Sequence, residues 1–359
     1  MIAIETALLA GLMIENEDSY RELEELAKTA FVKIVGRIIQ NKDVPHPAFF
    51  IGPGKAYEIK DRCKLENIDA VIFNHNLKPN QQRNLENVIN RKIVDRCTLI
   101  LDIFAKHAKT NEGKLQVELA QLIYLLPRLS GRGAELSQLG GGIGTRGPGE
   151  KKLEVDRRRI RQKITFLKEK IEGIRKHRNN LRQSRESKGF LTATMVGYTN
   201  SGKSTLLNKL THSNVLVENK LFSTLDPTTR KLFLPNGKEL LLTDTVGFIR
   251  NLPAELITSF RATLEEIKYA DIIVVVVDIS RKDIDIQQDA VYRELKELEV
   301  LNKPIITILN KIDLIEPVQI KRLSNNIPDS VAISALKGQN IQNFLSKISL
   351  ISKELLTKT

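Results

Sequence analysis

The chain has 359 residues, of which 41% are hydrophobic and 28% are charged. This length exceeds one ordinary core and this composition is globular, so we expect two or three domains and exclude a disordered chain. The formal net charge of +13 favours a polyanionic partner, either nucleic acid or an anionic membrane surface.

The two cysteines, Cys63 and Cys97, stand far apart, and the five histidines lie at no metal-ligand spacing. We therefore expect reduced thiols in a cytoplasmic protein rather than a metal site built on these residues. The N-terminal segment has no basic region before its apolar run, which Glu5 interrupts, so it predicts a first strand rather than a signal peptide. Because no run of about 18 apolar residues exists, we expect no membrane-spanning helix.

Residues 1–110 alternate strand-like and helix-like segments, which predicts a small N-terminal α/β domain with at least some parallel pairing. The predicted strands are ETALLAGLMI, KIVGRIIQ, PAFFIG and DAVIFN. The predicted helices are SYRELEELAKTA, GKAYEIKDRCKLEN and KPNQQRNLENVIN. The glycines and lysine of FIGPGK could form a second phosphate site, but the motif is too short, and we favour a turn before a helix.

Residues 111–188 predict a two-helix coiled-coil hairpin. In the first helix Leu115, Leu119, Leu122, Leu126 and Leu129 share one face. A glycine-rich loop at 140–149 separates it from a basic helix at 151–185. An a/d stripe defines the packed face of that helix, and its members are Leu153, Ile160, Ile164, Leu167, Ile171, Ile174 and Leu181.

Residues 150–188 hold 15 Lys and Arg against 6 Asp and Glu, so nine of the 13 net positive charges fall there. A solvated helix face is the ordinary explanation for such a run. The density of arginine instead favours contact with the phosphates of structured RNA, and the scarcity of aromatic residues argues against base stacking. The predicted RNA-binding residues are Arg157, Arg158, Arg159 and Arg161, together with Arg146 in the glycine-rich loop. The alternative for this loop is a plain linker.

Residues 189–359 alternate strands and helices to the end, which predicts a doubly wound α/β domain. GYTNSGKS fits the phosphate-binding loop GxxxxGK[ST] between a predicted strand and a predicted helix. Lys203 would neutralise the β- and γ-phosphates, and Ser204 would bind Mg²⁺. The predicted nucleotide contacts here are Gly197, Tyr198, Thr199, Asn200, Ser201, Gly202, Lys203, Ser204 and Thr205.

The apolar run ELLLT ends at Asp244, the first residue of DTVG. A carboxylate at a strand's end downstream of a phosphate-binding loop is the usual Mg²⁺ ligand, and Gly247 can offer its N–H to the γ-phosphate. We therefore predict that Asp244 binds the metal. Asp244, Thr245, Val246 and Gly247 are all predicted to contact the nucleotide.

NKID follows the predicted strand PIITIL, and SAL follows VAI. The Asp313 carboxylate can accept two hydrogen bonds from guanine, whereas adenine would leave it unpaired. The motifs in this order predict GTP rather than ATP. The predicted base contacts are Asn310, Lys311, Asp313, Ser334, Ala335 and Leu336.

A threonine from FSTLDPTTR should close on the Mg²⁺, and three compete. We favour Thr224, with Thr228 second, and spacing leaves the choice open. We expect Lys203, Thr224 and Gly247 to act in catalysis. The further contacts expected from this segment are Phe222, Ser223, Leu225 and Asp226.

The chain resembles the HflX family of translation-factor-like GTPases over nearly its whole length. The resemblance lies in FSTLDPTTR, DTVGFIRNLP, LILDIFAKHAKTNEGKLQVELAQLIYLLPRL and LGGGIGTRGPGEKKLEVDRRRIRQKI, with one departure at Lys151, where the family pattern has threonine. It implies a cytoplasmic, Mg²⁺-dependent GTPase that docks on the large ribosomal subunit and acts on stalled or idle ribosomes. The family's FxTL pattern also implies Thr224 as the Mg²⁺ threonine. We expect a monomer.

Phe248 follows DTVG, where Ras-type GTPases carry the glutamine that orients the attacking water. Because a phenyl ring cannot hold a water, another residue or the partner must do so, and we predict slow intrinsic turnover that ribosomes accelerate. Two other functions stay open. One is a GTP-gated RNA-binding or ribosome-assembly factor, and the other is a GTPase at anionic membranes, which the lack of inserting aromatics disfavours.

Overall fold

The computed structural model describes residues 5–13, 17–129, 148–186, 189–211, 221–250, 256, 261–327 and 329–358. The chain divides into two compact units. The first comprises Met1–Lys106, Lys114–Gly173 and Pro253–Ser259, and the second comprises His107–Gly113, Ile174–Leu252 and Phe260–Thr359.

The first unit contains a small sheet. Its strands are β1 (Thr6–Leu12), β2 (Lys33–Gln40), β3 (Ala70–Phe73) and β4 (Lys92–Asp95). Its first helices are α1 (Glu17–Thr29), α2 (Pro53–Leu65), α3 (Pro79–Ile89) and α4 (Arg96–His107). The strand order is β2-β1-β3-β4 and every pair is parallel. Consecutive residues of β3 are all buried, so both faces of the sheet are covered there.

The strand predicted at PAFFIG is wrong. His46 and Phe50 exchange two backbone hydrogen bonds, with N–O distances of 2.7 and 2.8 Å, around a tight turn in which Phe50 has a φ of 66°. Pro45 and Pro47 lack the N–H groups that a strand would need. The following Gly52 caps α2, and its N–H donates to Gln40 Oε1 at 2.7 Å, so FIGPGK forms a turn that opens a helix.

Two long helices follow, α5 (Asn111–Arg128) and α6 (Pro148–Glu186). Glu112 of α5 pairs with Arg178 of α6, and Glu118 pairs with Lys163. Because the later residue of α5 meets the earlier residue of α6, the two helices are antiparallel. Leu167 is buried within the predicted stripe of α6, and the stripe isoleucines are half-buried. Residues 140–147 of the predicted glycine-rich loop, with Arg146, and the side chains of Leu153 and Leu181 lie outside the described residues.

The second unit contains the larger sheet. Its strands are β5 (Leu191–Gly197), β6 (Thr228–Phe233), β7 (Glu239–Asp244), β8 (Ile272–Asp278), β9 (Ile305–Asn310) and β10 (Ser330–Ala332). Its helices are α7 (Lys203–Thr211), α8 (Arg261–Tyr269), α9 (Ile284–Glu297), α10 (Pro317–Asn326) and α11 (Ile341–Lys358). The order is β10-β9-β8-β5-β7-β6, and only the β6–β7 pair is antiparallel.

The core of the second unit lies on both faces of β8, whose seven residues are all buried. Met195, Leu206 and Phe344 belong to the cluster on one side, and Val196, Val275 and Leu295 belong to a second cluster. The predicted fold class is confirmed: an α/β protein with a small N-terminal sheet, an antiparallel helical hairpin and a doubly wound domain.

Within the described ranges, no helix is long and apolar enough to cross a membrane. The same part of the chain contains no cluster of His, Cys, Asp and Glu residues that could hold a metal ion. Cys63 and Cys97 are both buried, and neither forms a disulfide with a described residue.

Candidate functional site

A cavity of about 330 Å³ lies where the carboxyl ends of β5, β7 and β9 meet, the edge at which doubly wound sheets bind ligands. Its lining residues are Thr199, Asn200, Gly202, Lys203, Ser204, Thr205, Phe222, Ser223, Thr224, Thr245, Gly247, Asn310, Lys311, Asp313, Leu314, Ala335 and Leu336. All of these except Leu314 are predicted site residues. An apolar residue directly after Asp313 could have indicated it, since the flat face of a base needs an apolar neighbour.

The loop between β5 and α7 requires glycine at Gly202. Its φ is 96°, and a Cβ atom there would stand 2.2 Å from the Asn310 side-chain nitrogen. The loop can therefore run close to β9 while the N-terminus of α7 faces the cavity. The first N–H groups of a helix have no partner within it, so they can bind phosphate oxygens.

Lys203 is only 6% exposed, and its ammonium donates to the carbonyl oxygens of Tyr198 at 2.8 Å and Gly197 at 3.2 Å. Burial lowers the pKa of Lys203 to about 8, although Asp244 opposes this shift. Burial also raises the pKa of the fully buried Asp244 carboxyl, whereas the Lys203 charge and the hydroxyls of Ser204 and Thr224 act to lower it. Both shifts show charges that burial penalises and that oppositely charged ligands would stabilise.

Three oxygen-bearing side chains converge beside Lys203. The Ser204 hydroxyl donates to Asp244 Oδ2 at 2.6 Å and lies 2.7 Å from Thr224 Oγ1, which donates to the same carboxylate oxygen at 3.1 Å. Among the described residues, the buried Asp244 Oδ1 has no hydrogen-bond partner. Such a set of hydroxyl and carboxylate oxygens fits Mg²⁺, which prefers one or two carboxylates and substrate phosphates as ligands.

The competing threonines lie elsewhere. Thr228 Oγ1 is 3.4 Å from the Asp226 carbonyl oxygen, and Thr229 Oγ1 is 2.9 Å from Thr243 Oγ1. The geometry therefore favours Thr224, where spacing alone left the choice open.

Asn310 joins the base end of the cavity to its phosphate end. Its amide donates to the Ser201 carbonyl at 2.8 Å and accepts from the Ala335 N–H at 3.0 Å. Lys311, with a φ of 70°, pairs with Asp278 at 2.7 Å, which holds its stem along the cavity wall. These contacts fix the NKID and SAL loops against the phosphate-binding loop.

Phe248 does not line the cavity. Its ring is 7% exposed and belongs to the core cluster that contains Val196 and Ile267. Its backbone N–H donates to Gly197 at 3.0 Å, and its carbonyl accepts from Thr199 at 2.8 Å. The residue thus locks DTVG onto the phosphate-binding loop instead of facing the reacting groups.

Several predicted contacts lie behind the cavity wall. Tyr198 is buried, and its hydroxyl accepts from the Arg250 N–H at 2.9 Å. The Asp226 carboxylate bonds to the backbone of Lys109 and Thr110. The other predicted contacts that do not line the cavity are Gly197, Ser201, Leu225, Asp244, Val246 and Ser334.

Of the predicted RNA-binding residues, Arg158, Arg159 and Arg161 are exposed on α6, and Arg157 is half-buried. They lie in the first unit, apart in sequence from the cavity residues. Arg159 lies 3.9 Å from Asp156, and its own side chain is largely exposed.

Three family models match the chain. They are described as GTP-binding GTPase N-terminal at residues 17–105, GTP-binding GTPase Middle Region at 107–185, and 50S ribosome-binding GTPase at 192–311. A GTPase HflX from Caldanaerobacter subterraneus is 52% identical over 357 residues, which cover 99% of this chain and 82% of the relative. The chain belongs to the HflX GTPase family. The GTPase HflX of Escherichia coli is 42% identical, covering 96% of this chain and 82% of its own.

Solved structures similar to this HflX-family chain are GTP-binding proteins. The SsGBP–GDP complex is 29% identical with a TM-score of 0.54, covering 98% of this chain and 99% of the other. A GTP-binding protein from Sulfolobus solfataricus in complex with GDP is 28% identical with a TM-score of 0.50 and the same coverage. This HflX-family protein is accordingly a GTP-binding GTPase.

Proposed function

We propose that this GTPase binds the large ribosomal subunit, in the cytoplasm and as a monomer, and acts on stalled or idle ribosomes by dissociation, recycling or rescue. The observation that carries the proposal is the set of exposed arginines on α6, Arg158, Arg159 and Arg161. The match of residues 192–311 to the family described as 50S ribosome-binding GTPase supports it.

The two halves of α6 use their arginines differently. Towards the C-terminal end, Arg175 pairs with Glu265 at 2.9 Å and Arg178 pairs with Glu112 at 2.8 Å. Arg182 pairs with Glu266 and covers the Tyr269 ring. The exposed arginines of the first half are the ones available to a polyanion, because solvent-facing guanidinium groups can neutralise phosphates without breaking internal pairs.

For the GTP site we propose that Ser204, Thr224 and Asp244 hold Mg²⁺, which when bound would offset charge on the β- and γ-phosphates. Lys203 would exchange its carbonyl acceptors for phosphate oxygens, and the Gly247 N–H would donate to the γ-phosphate. The Asp313 carboxylate would accept from the two guanine donors. The remaining predicted contacts would support these groups from behind.

The residue at the position of the Ras-type glutamine, Phe248, faces the core and does not line the cavity. We therefore propose that the ribosome completes the site, by a group of its own or by reordering Thr224 and Gly247. A group supplied in trans can raise the rate of phosphoryl transfer by about 10³–10⁵.

Single-turnover GTP hydrolysis with and without purified large subunits tests this proposal. We expect basal turnover well below about one per second and stimulation of at least about 10³-fold. Fast hydrolysis by the protein alone, unchanged by ribosomes, would show that a residue of this chain orients the water.

The position of Phe248 also leaves room for a second function, a GTP-gated RNA-binding or ribosome-assembly factor in which hydrolysis is incidental. Such a factor would bind large subunits or their precursors in the GTP form without strong stimulation of hydrolysis. Cosedimentation separates both of these functions from membrane binding. Either one requires the protein to sediment with large subunits, whereas a membrane GTPase would sediment with anionic liposomes.

A further inference from the structure

Asp226, two residues after Thr224, is bound to a distant turn of the second unit. Its Oδ2 accepts from the backbone N–H groups of Lys109 at 3.1 Å and Thr110 at 2.9 Å. Its Oδ1 accepts from the Thr110 hydroxyl at 2.5 Å. A charged acceptor with three donors forms a stronger attachment than neutral hydrogen bonds do.

The same turn opens α5. Thr110 Oγ1 accepts from the Gly113 N–H at 2.9 Å, which caps the helix. Gly113 lies so close to Asp226 that a Cβ atom would stand 2.3 Å from Oδ1. The carboxylate therefore sits against the N-terminus of α5, where the helix dipole favours negative charge.

The turn is also linked, through Arg178 of α6, to the helix α8 that follows DTVG in the chain. Glu112 pairs with Arg178 at 2.8 Å, and Arg178 lies 3.6 Å from Glu265 of α8. One short turn is thus attached to the chain after Thr224 and, through Arg178, to the helix after Gly247.

We infer that Asp226 is a positioning residue that couples closure of Thr224 over the Mg²⁺ and γ-phosphate site to the turn Lys109–Gly113. Two residues span at most about 7 Å, so fixing Asp226 restricts where Thr224 can lie. In this structure Thr224 reaches Ser204 and Asp244 while Asp226 is attached to the turn. Binding of a γ-phosphate and formation of the Asp226 attachment then favour each other, because coupling between sites is reciprocal.

This inference rests on the proposed role of Thr224, and its test keeps the two apart. The variants are Asp226→Ala, which removes the acceptors; Thr110→Val, which removes one donor; and Gly113→Ala, which pushes the carboxylate away. Thr110→Ser is the conservative variant that retains the hydroxyl. Asp271→Ala is the matched control, because Asp271 accepts from the N–H and hydroxyl of Thr192, each at 2.8 Å, at the opposite end of β5.

The measurements are the affinities for GDP and for a non-hydrolysable GTP analogue, and the Mg²⁺ concentration that gives half-maximal hydrolysis. We expect Asp226→Ala and Gly113→Ala to weaken binding of the GTP analogue about tenfold and to raise the Mg²⁺ requirement, with GDP affinity changed less than about twofold. Thr110→Val should change the affinities in the same direction. The double variant should be little worse than Asp226→Ala alone, because both substitutions disrupt the same attachment. Thr110→Ser and Asp271→Ala should behave like the natural sequence.

Equal losses of affinity for GDP and for the GTP analogue would show that Asp226 has a merely structural role. If Asp226→Ala fails to fold, Gly113→Ala still decides: an unchanged ratio of its two affinities would overturn the coupling. Thr224→Ala separates the two hypotheses. Suppose that Thr224→Ala weakens binding of the GTP analogue and raises the Mg²⁺ requirement, whereas Asp226→Ala changes neither. The coupling is then wrong and the proposed site stands. If Thr224→Ala has no effect, the proposed site is wrong.

Discussion

At the scale of single residues, Phe248 shows how a position can be functional without touching the substrate. Its ring packs in the core and its backbone holds DTVG against Gly197 and Thr199. Gly247 is consequently fixed, and a Cβ atom there would lie 2.6 Å from Thr199 Cα. The side chain that follows DTVG points into the core and does not line the cavity.

Phe248→Gln should therefore not raise basal hydrolysis. It would bury an amide in an apolar cluster, which costs about 1–3 kcal/mol when the amide finds no partner. We expect unchanged or lower single-turnover rates and a lower urea midpoint, whereas Phe248→Leu should keep most of the stability. A basal rate that rises severalfold in Phe248→Gln would contradict this geometry.

Asp313→Asn should change which base is bound. The amide presents a donor where guanine also donates, so preference should move towards xanthine nucleotides. Competition calorimetry with GDP and xanthosine diphosphate measures the change, and Asp329→Asn, at an exposed position after α10, serves as the control. If the natural sequence binds ADP as tightly as GDP, the assignment of guanine to this site is wrong.

Sequence reasoning reached the cavity because its motifs are local. Gly202 and Lys203 lie within six residues of the end of β5, Asn310 ends β9 and Asp313 comes three residues later, and parallel strands bring their carboxyl ends together. The attachment of Asp226 to Thr110 joins residues 116 positions apart and has no motif. The direction of the Phe248 ring depends on backbone pairing with Gly197, which residue type alone does not determine.

At the scale of helices and strands, α6 separates two tasks along one helix. Its later arginines hold the second unit together, and its earlier ones face solvent. The count of charges in the sequence could not make this distinction, because the acidic partners Glu112, Glu265 and Glu266 lie far away along the chain.

Reversing Arg157, Arg158 and Arg159 to glutamate should weaken binding to large subunits. Each lost phosphate contact should flatten the dependence of log affinity on log salt by a slope of roughly one. GTP affinity should be spared, since these residues belong to the first unit. Cosedimentation at rising salt provides the measurement.

A control triple with the same charge change is Arg293, Lys296 and Lys321 to glutamate, at exposed positions of α9 and α10. It should alter subunit binding far less. The RNA-contact proposal fails if both triples bind alike at every salt concentration.

The elements that sequence reasoning missed have weak local signals. β4 is four residues long, and α4 begins at the very next residue without a glycine or proline between them. Seven of the twelve α4 residues are buried, so its apolar pattern lacks the clear stripe that marks an amphipathic helix. Longer elements such as β5 and α5 were predictable because strand alternation and helical spacing persist over enough residues.

At the scale of the whole molecule, the bounds of the two compact units differ from the domain boundaries that the sequence composition predicts. Composition predicts boundaries near residues 110 and 188, whereas contacts assign His107–Gly113 and the end of α6 to the second unit. These contacts are ion pairs such as Arg182 with Glu266, which lie 84 residues apart. A boundary drawn from composition cannot include them, so a truncated variant beginning at residue 189 would lack part of its own unit.

The attachment between Asp226 and the turn at Lys109–Gly113 also orders events during synthesis. Thr110 is made 116 residues before Asp226, a delay on the order of ten seconds at about 5–20 residues per second. The strands β1 to β4 are complete before that interval begins, so they can pair while the amides of the turn still bind water. The second unit thus has one of its earliest segments waiting for Asp226 and α8, and a nascent chain stopped before Glu265 cannot yet have the contacts that attach the turn to the chain after Thr224 and to α8.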